Sequence, residues 1–302
     1  MGSLTPEPCR LAAGARAAAK TALATALLLL TACLAHSQAV HETQYSQAAK
    51  AVLERNFADR NISYLLMDAS GNVLAERWPL QRAISPGSLV KPFLAIAYGE
   101  QHGGQFPKVR CLGSSTRCWL PAGHGPLDLE EAITQSCNTY FLALAAGLDR
   151  ERLAQTMARY GLAGPTPGAA VESLVGLGDA WKETPGALAR AYLAIAKEQH
   201  SLVQGRIVKG MMDSAARGTA RGVDDVLGQD AALAKTGTAH CSHVPRGAAD
   251  GFTVVLYPAV QPRLLLLVRV HGVTGAQSAR VAGAMLRSLG AGQSHGDING
   301  ER

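Results

Sequence analysis

The spacing of apolar residues changes twice along the chain. Ile62–Asp68 (ISYLLMD) and Val73–Arg77 are short apolar runs joined by Ala69-Ser70-Gly71-Asn72, a turn sequence, so the first element is predicted to be a hairpin. Helical spacing then predicts helices over Ser88–Gln101, closed by Gly103-Gly104, and over Leu129–Ala146, with an interruption at Ser136-Cys137-Asn138. Further helices are predicted over Arg150–Tyr160, Pro185–Glu198 and Ile207–Ala220. Gln105–Pro126, rich in Gly, Pro, Ser and Cys, is predicted to be loop. The last third returns to short runs: Ala231–Thr238, Phe252–Tyr257 and the almost continuously apolar Leu264–Val270 are predicted strands, and Gln277–Leu289 a closing helix. With no repeat or linker inside this order, one domain is expected over residues 60–290, after a short segment 33–59 and before a tail 291–302.

The chain start follows another pattern. Arg10, Arg16 and Lys20 precede the apolar run Thr21–Leu30, which is shorter than the roughly 20 residues a membrane span needs. Residues 1–32 therefore read as a signal peptide. Leu30-Thr31-Ala32-Cys33 resembles a lipobox, making Cys33 the candidate for lipidation and membrane attachment; cleavage after Ala39 and a retained anchor are the alternatives. Each places the folded part outside the cytoplasmic membrane. The remaining composition is globular, with 47% hydrophobic and 17% charged residues in 302. A net charge of +6, partly in the leader, and 5% aromatics exclude a nucleic-acid partner from the expectations. Of six cysteines, Cys9 leaves with the leader, and Cys111 and Cys118 could close a short disulfide loop in an oxidising compartment.

Three short motifs carry the chemistry. In Ser88-Leu89-Val90-Lys91, hydroxyl and ammonium lie one turn apart at a helix start, where the helix dipole favours a neutral lysine able to take the serine proton. Ser-x-x-Lys alone arises roughly once by chance in such a chain. In Ser136-Cys137-Asn138 the hydroxyl can relay a proton, and the amide can bind a substrate amide and position Lys91. Lys235-Thr236-Gly237-Thr238 lies on a predicted strand; Lys-Thr-Gly is expected only about 0.1 times by chance. Gly237 would admit a substrate backbone, Lys235 and the threonine hydroxyls would hold a carboxylate, and the N–H groups of Ser88 and Thr238 would form an oxyanion hole.

These motifs, in this order, resemble those of the penicillin-binding transpeptidases and serine β-lactamases. Pro86–Phe93 (PGSLVKPF) resembles their nucleophile segment. Cys118–Gly125 (CWLPAGHG) with Leu127–Phe141, Gly176-Leu177-Gly178 with Thr184-Pro185, and Arg217-Gly218-Thr219-Ala220 resemble further family stretches. The resemblance, over about residues 60–290, implies an α/β (α+β) fold: an antiparallel five-stranded sheet flanked by helices. It implies attack of Ser88 on the D-Ala-D-Ala bond of a peptidoglycan stem peptide, with Lys91 as base and Ser136 as proton relay. Asn138 would orient the peptide, and β-lactams would acylate Ser88. No cofactor and no site metal are implied.

Departures from the pattern leave alternatives open. Only about 20–25 residues separate the leader from the first strand, so a minimal domain is expected, with a partner protein able to supply a missing module. Leu177 stands where the family often has Gln. His240, Cys241 and His243, with Cys137, suggest zinc; a Cys137–Cys241 disulfide and two unpaired thiols are the other readings. A class D-like β-lactamase and a non-turnover binding or sensor module remain beside the peptidase. Class D enzymes carry Ser-x-Val rather than Ser-x-Asn in the middle motif, and no class A-type deacylating glutamate is obvious beyond Glu172 and Glu183.

Overall fold

The computed structural model describes residues 44–229, 231–241 and 249–291. The leader, Cys33, Ser242, His243 and nearly all of the tail lie outside the described residues. Contacts divide the chain into residues 1–48 and 49–302; residues 44–48 are helical, and the second unit holds the sheet and all three motifs.

That unit runs α1 (residues 49–56), β1 (Ile62–Asp68), β2 (Val73–Glu76), a 3-10 turn (Gly87–Val90), α2 (Lys91–Gln101), β3 (Val109–Cys111), a second 3-10 turn (Gly113–Thr116), β4 (Gly125–Leu127), α3 (Leu129–Thr134) and α4 (Asn138–Ala146). It continues with α5 (Arg150–Arg159), α6 (Val171–Leu174), α7 (Pro185–Lys197), α8 (Leu202–Arg217), α9 (Asp224–Leu227), β5 (Leu233–Ala239), β6 (Asp250–Tyr257), β7 (Leu264–His271) and α10 (Gly275–Ser288). Five strands form one antiparallel sheet in the order β2-β1-β7-β6-β5. This is the expected fold class.

Strand periodicity builds two cores. Leu65, Met67, Leu265, Leu267, Phe252 and Val254 point to one face, which packs on α2 and α7. Tyr64, Leu66, Leu266, Val268 and Val255 point to the other, beneath α10. Strands β1, β6 and β7 are thus apolar on both sides, which explains the unbroken Leu264–Val268 run. Helix starts are fixed locally: Asp128 and Thr184 cap α3 and α7, and Thr274 with Gln277 forms a capping box on α10.

Three expectations about elements change. Residues 105–126 are not featureless loop, because β3 and β4 pair there as a small ribbon. Helix α8 begins at Leu202 rather than Ile207, since Ser201 caps it and Gly205 is tolerated inside it. Ser88 sits in a 3-10 turn, and regular α-helix starts only at Lys91.

Candidate active site

Sheet order leaves β5 with one strand partner, β6, and its other edge free of the sheet. The Ser88 turn lies against this edge. The turn enters through Gly87 at φ 57°, where a side chain would come within 2.6 Å of the Thr238 carbonyl oxygen. At Gly237 an added Cβ would sit 2.9 Å from the Pro86 oxygen and 3.0 Å from Leu89 Cγ. The missing side chain of Gly237 thus leaves room for the nucleophile turn. Tyr192 pins that turn from beneath, its hydroxyl donating to the Leu89 carbonyl at 2.8 Å.

Ser136-Cys137-Asn138 joins α3 to α4. Ser136 has φ 50°, a left-handed conformation that costs a non-glycine residue roughly 1–3 kcal/mol. The twist separates its two oxygens. Its carbonyl accepts from Lys91 Nζ at 2.7 Å, and its hydroxyl accepts from Lys235 Nζ at 2.7 Å. Two charge-capable donors on one residue offset the strain.

Lys91 is fully buried and also donates to Asn138 Oδ1 at 2.6 Å. Asn138 Nδ2 donates in turn to the Arg117 carbonyl at 3.4 Å, which fixes the amide from both ends. Burial pulls the Lys91 pKa down to about 7, while Cys137 and Cys118 partly restore it. A neutral amine has two N–H donors and one lone pair. The Ser136 carbonyl and the Asn138 amide use the two donors, so the lone pair is the remaining valence.

Lys235 is equally buried, and its second bond goes to the Thr236 carbonyl at 2.7 Å. Burial, followed by repulsion from Lys91, pushes its pKa well down. Its amine is turned onto the Ser136 hydroxyl. Thr236 donates to the Thr219 hydroxyl at 2.7 Å, and the Thr238 hydroxyl accepts from the Gly275 N–H at 2.9 Å.

A cleft of about 400 Å³ opens over these groups. Ser88, Ser136, Asn138, Thr236, Gly237 and Thr238 all line it, so six of the eight site residues expected from sequence meet in one place. Lys91 and Lys235 lie behind its wall. Trp119, Leu177, Thr219, Thr274 and Ala276 complete the lining and were not expected. Three of them had a signal: Trp119 lies in Cys118–Gly125, Leu177 in Gly176-Leu177-Gly178, and Thr219 in Arg217-Gly218-Thr219-Ala220. Neither Glu172 nor Glu183 lines the cleft. Glu183 is buried and accepts from Trp181 Nε1 and from the backbone N–H groups of Ala163 and Gly164, while Glu172 pairs with Arg117.

Of the cysteine readings, unpaired thiols at Cys137 and Cys241 agree with the structure, and the others are corrected. Cys111, Cys118, Cys137 and Cys241 are thiols, so neither the Cys111–Cys118 nor the Cys137–Cys241 bond forms. Cys137 does not join His240 and Cys241. Its sulfur lies 3.7 Å from that of Cys118, in a group with Cys111 and His124. Cys241 clusters with Asp250 and His271, beside Arg269 at 3.5 Å from Asp250.

A five-stranded antiparallel sheet whose edge strand faces a Ser-x-x-Lys turn and a Ser-x-Asn corner defines the class of serine transpeptidase folds. Residues 47–289 match the family of the penicillin binding protein transpeptidase domain, and the chain belongs to that family. A curated relative is the peptidoglycan D,D-transpeptidase MrdA of Haemophilus influenzae, 37% identical over 95 residues. That match covers 28% of this chain and 15% of the relative's length. Among solved structures, Pseudomonas aeruginosa PBP2 in complex with WCK 5153 aligns at TM-score 0.66 and 21% identity, over 82% of this chain and 73% of that one. The transpeptidase domain of Burkholderia pseudomallei penicillin-binding protein 3 aligns at TM-score 0.64 and 20% identity, over 82% and 93%. PBP2 of Helicobacter pylori, solved in complex with MreC, aligns at 0.66 and 17%, over 80% and 63%.

Proposed function

We propose that this protein is a penicillin-binding serine D,D-peptidase that transfers the acyl part of a D-Ala-D-Ala stem peptide through Ser88. The observation that carries the reading is the pair of buried lysines that share Ser136 behind a cleft lined by Ser88. Lys91, with its lone pair unused and its pKa near 7, takes the Ser88 proton as Oγ attacks the peptide carbonyl. The N–H groups of Ser88 and Thr238 hold the oxyanion. Ser136, whose oxygen already accepts from Lys235, has its own proton free to pass to the departing D-alanine amine. Thr219, Thr236 and Thr238 receive the terminal carboxylate, with Lys235 behind the wall holding the Ser136 hydroxyl in place. The free edge of β5 pairs with the extended peptide, the usual way a sheet edge binds a strand. An amine or water then resolves the ester at Ser88. The lining holds no glutamate to activate such a water, which favours a slowly hydrolysed penicilloyl ester over β-lactamase turnover.

The substrate lies outside the cytoplasmic membrane, so export by the leader belongs to the reading, with Cys33 as the acylated residue. Among the described residues no helix is long and apolar enough to cross a membrane. A partner subunit that positions the domain on the wall also fits.

Intact-mass spectra over time with benzylpenicillin test the central claim. A lasting gain of one penicilloyl group on Ser88, together with release of D-alanine from a stem peptide, is expected. Consumption of penicillin without an adduct would make the protein a β-lactamase. A protein that neither labels nor consumes the drug would be a binding module.

A further inference from the structure

The cleft does not end at its threonines. A second groove, of about 530 Å³, shares Trp119, Thr219 and Ala276 with it, so the two spaces are continuous. Beyond those residues three arginines line the groove, Arg217, Arg221 and Arg280, against one acid, Asp225. Arg217 is held by Glu131 at 2.8 Å and by Asp213 at 3.2 Å, and Arg280 lies 3.4 Å from Asp225. Arg221 is exposed and has no acidic partner among the described residues. The lining therefore carries excess positive charge, which draws in an anion. Trp119 is 51% exposed, and its Nε1 donates to the Gln135 carbonyl at 3.1 Å, so the indole stands as a fixed wall where cleft and groove join.

Acyl transfer needs a second substrate to arrive at this junction. D-Alanine leaves from beside Ser136, with its carboxylate on Thr219, Thr236 and Thr238, at the end of the cleft that meets the groove. An amine that resolves the ester must come in where D-alanine went out. Making and breaking a C–N bond on one acyl carbon pass through the same tetrahedral arrangement, served by the same proton carriers. The amine nitrogen bonds to the acyl carbon, and the bond from that carbon to Ser88 Oγ breaks. One amine proton passes to Ser136, and Lys91 returns to Ser88 the proton it took, which leaves a new amide and a free serine. D-Alanine is small and is already held by the threonines. A space larger than the cleft of about 400 Å³, lying beyond them, has room for the rest of a chain.

We infer that this groove is the acceptor site: it takes a second stem peptide, amine toward Ser136 and carboxylates on Arg221 and Arg280. The inference rests on acyl transfer at Ser88 and names the acceptor as an anionic peptide amine rather than water. Guanidinium forks match carboxylates in shape as well as charge. An amine held beside the ester gains the advantage of proximity over water arriving from solution.

The test uses the full chain and a stem pentapeptide ending in D-Ala-D-Ala as donor, its side-chain amine acetylated. Two acceptors are compared: a stem tripeptide with free side-chain amine and free carboxylates, and the same tripeptide with its carboxylates amidated. Cross-linked and hydrolysed products are counted per acyl-enzyme formed. The carboxylate acceptor should half-saturate cross-linking at about a tenfold lower concentration than the amidated one, as two exposed ion pairs would give, and the gap should narrow as salt rises. Arg221→Gln should narrow it about threefold, and Arg221→Glu with Arg280→Glu should abolish it, through the acceptor KM rather than kcat. Arg152→Glu, an exposed charge change on α5 outside the groove, should leave the gap intact. Equal half-saturation by the two acceptors, a gap that survives the double variant, or a gap closed equally by Arg152→Glu would overturn the site. Isothermal titration of the Ser88→Ala protein should show binding of the carboxylate tripeptide that the double variant loses. If the wild type never acylates while that binding holds, the acyl-transfer reading fails and the groove stands as an anionic-peptide site. If acylation proceeds and only water resolves the ester, the acceptor site fails and the Ser88 chemistry stands.

Discussion

On the cleft side of Ser136-Cys137-Asn138 lie two buried ammonium groups; on the far side lie three thiols and an imidazole. Both clusters are polar and largely buried, yet they meet the cost of burial differently. Each lysine is surrounded by neutral oxygen acceptors, and burial then drives it toward the uncharged amine. In the sulfur cluster Cys111 receives the Thr139 hydroxyl and two backbone N–H groups, which, against burial, pull its pKa down to about 5, while burial pushes the Cys137 thiol up to about 12. Burial among neutral acceptors makes a lysine a base, whereas convergent donors make a buried cysteine a thiolate. The tripeptide belongs to both because consecutive residues turn opposite ways: Ser136 lines the cleft, and Cys137 is fully buried behind it.

Variants can break this comparison, and the largest effect is on the cleft side. Ser88→Ala should abolish covalent penicillin labelling while thermal unfolding stays as in the wild type; an adduct in that variant would displace Ser88 as nucleophile. Lys91→Ala should slow acylation about 10²- to 10⁴-fold, the usual worth of a general base. Lys91→Arg should be no better, because a guanidinium keeps its proton. Stopped-flow labelling measures both, and an active arginine variant would show that charge rather than basicity matters. With a Lys91 pKa of about 7, the neutral base is lost as pH falls. The wild-type acylation rate should therefore drop about tenfold per pH unit below that value and level off above it.

Smaller effects mark where coupling ends. Tyr192→Phe removes the buried bond to the Leu89 carbonyl and should cost about 1–3 kcal/mol in denaturant unfolding, since that oxygen is left unpaired. Arg206 forks onto Glu130 at 2.5 and 2.7 Å between α8 and α3, on the partly exposed side. Arg206→Ala should cost at most about 1 kcal/mol and leave both clusters untouched.

The two clusters were unequally legible in the sequence. The cleft residues arrive as three compact motifs whose local spacing already encodes geometry: Ser88 and Lys91 one turn apart, Ser136 and Asn138 flanking one residue. The strands beneath them announce themselves through alternation and apolar runs. The thiol cluster has no such local code. Cys137 was expected beside His240, Cys241 and His243 because its motif and Lys235-Thr236-Gly237-Thr238 were expected in one site. Its neighbours are instead residues 111, 118 and 124, brought up by the β3–β4 ribbon inside a stretch whose glycines and prolines read as loop. Turn-rich segments held together by three-residue strands carry too little periodicity to be seen. The direction of Lys235 was also hidden, because a strand pattern gives the face of a side chain and not its hydrogen-bond partner.

That face has an evolutionary reading. Leu233 and Ala239 bind β5 into the core shared with α2, while Ala232 and Ala234 enter the opposite one. Lys235 and Gly237 have the parity of Leu233 and Ala239. Inserting or deleting one residue in β5 ahead of Lys235 would turn its amine to the wrong side of the sheet and bring Ala234 or Thr236, respectively, to face Ser136. Lineages of this domain are expected to change the length of that strand in even steps, an odd step requiring a β-bulge to restore the face.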